Sequence, residues 1–127
     1  MKDSINPQHY TSHPSGIECI ELTKYMTFPI GNALKYVWRH DRKNGVEDLK
    51  KAVWYLRCAL ELAIDPSYEA LPVARASLLK TKQNIHKIRE SETRGWFIRF
   101  LDALCRADYS TCIDILNDEI KNYANRN

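Results

Sequence analysis

A chain of 127 residues, 44% hydrophobic and 28% charged, has enough apolar surface to bury one core of ordinary size. Its net charge of +3 is too small to imply a nucleic-acid coat by itself, so any anion site is local, and no apolar run approaches the length of a membrane span. The opening Met-Lys-Asp-Ser-Ile-Asn-Pro carries no apolar signal region, so a cytoplasmic protein is expected. Cys19, Cys58, Cys105 and Cys112 lack paired metal-type spacing and sit among apolar neighbours, which reads as four reduced core residues.

Few glycines and prolines, and no β-branched alternation, predict an all-α fold. The expected architecture is a compact bundle of about five to six helices behind an irregular N-terminal segment. Residues 1–127 are read as a single domain, with a motif-bearing half at about 5–64 and a helical half at about 68–125. Asn6-Pro7 and His13-Pro14 favour extended or turn geometry in the first fifteen residues. Ser15 with Glu18 resembles a capping box, predicting a helix from about Gly16 to Met26 that is apolar on most sides. Phe28-Pro29 opens the next helix, about 30–43, with Ile30, Ala33, Leu34, Val37 and Trp38 inward. At about 100° per residue, Asn32, Lys35, Arg39 and Lys43 fall opposite that stripe, with Tyr36 at the border. Asn44-Gly45 reverses the chain. A helix over about 46–64 then buries Leu49, Ala52, Val53, Leu56, Leu60 and Ala63 and groups Asp48, Lys51 and Tyr55 on another face. Further helices are expected at about Pro72 to Arg89, at about 95–107, and after a Ser110 cap.

The second face of the 30–64 hairpin holds the chemistry. Lys35, Arg39, Lys43 and Lys51 supply fixed cations for phosphates, and arginine adds a planar fork. The same spacing also suits a solvated face, but Asn32 and Tyr36 beside it are not needed for solubility. Glu18, Glu21 and Asp48 are three carboxylates that can hold Mg²⁺ beside a polyphosphate; equally, they can cap helices and pair with Lys24. His9 and Tyr10 lie in a segment without a core role and can stack on a base. His40-Asp41 lacks the further ligands of a metal site. Neither a G-x-x-x-x-G-K-[ST] loop nor G-x-G-x-x-G occurs, so a nucleotide would be held without the usual phosphate loop.

Ile5-Asn6-Pro7-Gln8-His9-Tyr10, Ile17-Glu18-Cys19-Ile20-Glu21, Gly31-Asn32-Ala33-Leu34-Lys35-Tyr36 with Arg39, Lys43-Asn44-Gly45, and Glu47-Asp48-Leu49-Lys50-Lys51-Ala52 with Trp54-Tyr55-Leu56 stand in this order. Over about residues 5–62 the chain resembles the SaV-like family, small proteins of tailed phages and prophages often labelled nucleotide kinase. The resemblance implies phosphorylation of deoxynucleoside monophosphates, an oligomer, and a phage or prophage origin. On this reading Lys35, Arg39 and Asp48 are catalytic. Asn6, His9, Tyr10, Asn32, Tyr36, Lys43, Lys51, Trp54 and Tyr55 bind the nucleotide, and Glu18, Glu21 and Asp48 hold Mg²⁺. The first alternative is a non-catalytic binder that sequesters a nucleotide signal or meets a host defence protein. The second is an all-α pyrophosphohydrolase like the MazG class, although Lys50 and Lys51 stand where its second acidic motif needs a carboxylate. DNA binding ranks last, because no recognition helix is evident.

Overall fold

Apolar residues at three- and four-residue spacing drive residues 28–64 into a helical hairpin, and the other elements pack around it. The computed structural model describes residues 5, 7–64 and 77–126. Among these residues lie α1 (Gln8–Thr11), α2 (Ile20–Thr23), α3 (Phe28–Arg39), a 3-10 turn (His40–Arg42), α4 (Val46–Ile64), α5 (Leu78–Ser91), α6 (Gly95–Cys105) and α7 (Tyr109–Arg126), and no strand. The expected all-α architecture is therefore observed. None of these helices is long and apolar enough to cross a membrane.

Helix α3 starts with Pro29 in its first turn, where a missing N–H costs nothing. It buries Ile30, Ala33, Leu34, Val37 and Trp38. Its α-helical course ends at Arg39, short of the expected 43, because residues 40–42 tighten into a 3-10 turn. The Gly45 N–H then donates to the His40 carbonyl at 2.7 Å, and Gly45 takes the left-handed φ of +57° that reverses the chain. Helix α4 buries Leu49, Ala52, Val53, Leu56 and Ala59 along α3 and α7, while Ala63 is exposed. Helix α6 packs against α7 and buries Phe97, Phe100, Leu101 and Leu104. Buried side chains from Ile17 to Leu116 form one cluster.

Two sequence expectations about helix starts need correction. The helix expected over 16–26 is only the turn of α2. Gly16 adopts φ +78°, and Ser15 Oγ accepts from the Ile17 N–H at 3.0 Å instead of capping a helix. The Tyr10 carbonyl draws this stretch elsewhere, accepting from the Cys19 N–H and from the Trp38 indole N–H, each at 3.1 Å. Secondly, Asp108 caps α7 in place of Ser110, accepting from the Thr111 N–H at 3.3 Å and its hydroxyl at 2.7 Å. Helix α5 is described from Leu78, and the start expected at Pro72 lies outside the described residues.

Candidate functional site

The α3–α4 hairpin gathers its cations around one ring. Lys35 Nζ lies 4.4 Å from the Tyr36 ring centroid, Arg39 Cζ 4.7 Å and Lys51 Nζ 5.4 Å. Lys35 and Arg39 stand on α3 beside Tyr36, and Lys51 reaches across from α4. Three positive charges thus sit within about 10 Å of one another, roughly one screening length in 0.1 M salt. Each gains about 0.5–1 kcal/mol from the ring face, and the two lysine ammonium groups repel one another, which favours an anion between them. The Tyr55 ring stacks on Tyr36 at 5.9 Å with planes 17° apart, and its other neighbours are Phe28 and Trp54.

Arg39 is only 8% exposed and faces inward, not toward solvent as the helical wheel placed it. Its Nε and Nη2 donate to Asp48 Oδ2 and Oδ1 at 3.2 and 3.1 Å, and Nη1 donates to the Tyr10 hydroxyl at 3.1 Å. Asp48 is 0% exposed, and its Oδ2 also accepts from the Asn44 N–H at 3.2 Å. Burial alone would lower the Arg39 pKa, but the bonds to Asp48 and Tyr10 outweigh it and raise it further. The His9 ring packs 4.1 Å from Tyr10. Desolvation, then the fields of Lys43 and Arg39, lower the His9 pKa, leaving the imidazole neutral near pH 7.

Beside the cation cluster opens a cleft of about 680 Å³. Tyr10, Asn32 and Lys35 bring polar groups to it, and Ile20, Met26 and Phe28 make much of its wall. Such a cleft, mostly apolar with a few convergent polar groups, has the size and character of a small-molecule site. Cys19 also lines it, but burial pushes its thiol up to about 12, against the opposing field of Lys35, so it is no nucleophile.

The expected site residues therefore divide. Tyr36, Lys35, Arg39, Lys51, Tyr55, Trp54, Tyr10, His9 and Asp48 form one connected set through the contacts above, and Asn32 joins them along the cleft. Lys43 is exposed beyond the end of α3 and acts through its field on His9. Asn6 lies outside the described residues. The carboxylates do not converge. Glu21 Oε2 accepts the Glu18 N–H at 2.6 Å, and both Asp48 oxygens are engaged. Among the described residues no three His, Cys, Asp or Glu side chains group as metal ligands. The described acids therefore do not form a ready-made site of three carboxylates for Mg²⁺. The sequence reading passed over Thr23, Thr27 and Phe28 of the cleft. Only Phe28 left a signal, as a large apolar residue outside the inward stripe of its own helix.

A family model described as a protein of unknown function, DUF3310, matches residues 5–57. The match begins before α1 and ends within α4, so it spans the whole cation cluster and cleft. No curated protein and no solved structure matches the chain.

Proposed function

We propose that this chain binds a nucleotide, with its phosphates among Lys35, Arg39 and Lys51 and its base in the adjoining cleft. The observation that carries this reading is the convergence of three cations on the Tyr36 ring, beside a cleft with apolar walls. Phosphate supplies the anion that Lys35 and Lys51 lack, Arg39 already being paired with Asp48, and a base supplies a flat face for the apolar wall. Phosphoryl transfer to a deoxynucleoside monophosphate is the reaction this arrangement would serve. Lys35, Arg39 and Lys51 would spread the charge of the transferred group, since such catalysis is largely positioning and electrostatics. Asp48 would hold Arg39 in place and not act as the base. The resemblance to phage proteins labelled nucleotide kinase supports the same reading.

The engagement of both Asp48 oxygens by Arg39 favours a second reading, sequestration of a nucleotide signal without chemistry, because that carboxylate is already held by the guanidinium. The pyrophosphohydrolase alternative requires grouped acids for metal-assisted hydrolysis and gains no support from this geometry. Mass spectrometry of nucleoside mono-, di- and triphosphates incubated with the protein and Mg²⁺ separates these readings. A diphosphate formed from a monophosphate only when a triphosphate donor is present establishes transfer. Depletion of one unchanged nucleotide establishes sequestration. Nucleotides neither converted nor depleted would overturn both.

A further inference from the structure

The cation–aromatic surface extends past the nucleotide cleft. Phe28 is 74% exposed and Trp54 61% exposed, with Tyr55 in contact with both and with Tyr36. Lys50 and Lys51 precede Trp54 by four and three positions, and Arg57 follows it by three, so all three flank the indole on the same side of α4. All three are exposed. Apart from the buried Arg39–Asp48 pair, residues 28–39 and 49–60 carry the cations Lys35, Lys50, Lys51 and Arg57, and the acids of this stripe of α4, Glu47 and Glu61, stand at its two ends. A second copy of the chain is a poor occupant for this face. A two-fold contact would set the patch against itself and oppose like charges. The partner must instead carry repeated negative charge and flat apolar faces.

We infer that this face takes a single-stranded nucleic acid, with one nucleotide in the cleft and neighbouring bases on Tyr55, Phe28 and Trp54, their phosphates tracked by Lys50, Lys51 and Arg57. The inference rests on the nucleotide reading for its first subsite and adds a track for the flanking nucleotides. Alternation of exposed rings with cations is the general arrangement for sequence-tolerant single-strand binding, because every base has a π face. A duplex keeps its bases stacked internally and cannot use the rings.

The test is a titration of the full chain with thymidine monophosphate, with oligothymidylates of two, four and eight residues, with an octamer duplex and with an octaglutamate peptide. Affinity should rise from monophosphate to octamer and exceed that for the duplex and the peptide. Trp54→Ala should weaken octamer binding about tenfold, the worth of roughly one stacked base. Lys50→Ala with Arg57→Ala should leave monophosphate binding unchanged and flatten the octamer's salt dependence by about 1.4 in log–log slope, roughly 0.7 per lost phosphate contact. Monophosphate binding with no gain for the octamer overturns this inference and leaves the nucleotide reading standing. Equal binding of duplex or octaglutamate overturns it in favour of a general polyanion surface. Binding of no ligand at all overturns both.

Discussion

Asp48 has no contact with water, so its charge depends on Arg39, and the buried part of Arg39 depends on Asp48 in turn. Removing either partner strands the other's charge, which costs about 3–5 kcal/mol in a buried pair. Asp48→Ala and Arg39→Ala should each lower the unfolding free energy read from urea denaturation by that much, and the double variant should lose less than their sum. Additive losses would show that the two residues act independently. Function is better probed through Lys35 and Lys51, whose ammonium groups form no ion pair with any described carboxylate. The residue types of this set were readable in the sequence, but their orientation was not. A helical wheel gives the angle of Arg39 on α3. It does not show that Asp48, nine positions on and across the turn, lies within reach of its guanidinium.

Helix ends divide in the same way between what local sequence encodes and what distant partners impose. At the end of α6, the Asp108 N–H donates to the Ala103 carbonyl and the Ala107 N–H to that of Leu104, which together make a Schellman motif. Ala107 occupies its left-handed position at φ +58°. Glycine pays no Cβ penalty there, so Ala107→Gly should stabilise the protein by up to about 1 kcal/mol, read as a higher thermal midpoint. A lower midpoint would mean that the alanine methyl contributes more than its backbone strain costs. The cap of α7 makes a second prediction at this scale. Asp108→Ala should cost about 1 kcal/mol, and Ser110→Ala much less. The hairpin was legible because its apolar spacing and its Gly45 are local signals. Residues 16–26 misled because their apolar content fits a helix, while the Tyr10 carbonyl, ten residues upstream of α2, claims the Cys19 N–H.

Across the whole molecule, an ionic cluster ties the N-terminal segment to the α5–α6 connection. His13 Nε2 lies 2.8 Å from Glu92 Oε2, Arg94 donates to both Glu92 oxygens, and its Nη1 lies 3.3 Å from Asp41 Oδ2. Burial alone would raise the Glu92 pKa, but the bonds from Arg94 and His13 outweigh it and hold the carboxyl down from 4.5 to about 2. A depressed carboxylate pKa stabilises the fold above its unfolded value and loses that contribution as pH falls toward the folded one. Glu92→Gln should therefore be less stable than the wild type at neutral pH, and the difference should shrink between pH 4.5 and about 2. A difference constant over that window would show that the Glu92 charge contributes nothing. No sequence pattern pointed to this cluster, because His13 and Glu92 are 79 positions apart and only the packed fold brings them together.

The central claim is that cations drawn around Tyr36 hold a nucleotide's phosphates, and isothermal titration tests it most directly. The wild type and a Lys35→Ala, Lys51→Ala double variant would be titrated with a nucleoside monophosphate and with its unphosphorylated nucleoside. The account predicts that the wild type binds the monophosphate more tightly than the nucleoside, and that the double variant loses about tenfold or more in monophosphate affinity, the equivalent of about 1.4 kcal/mol. It also predicts that nucleoside binding is unchanged. Equal affinity of the two proteins for the monophosphate would contradict it.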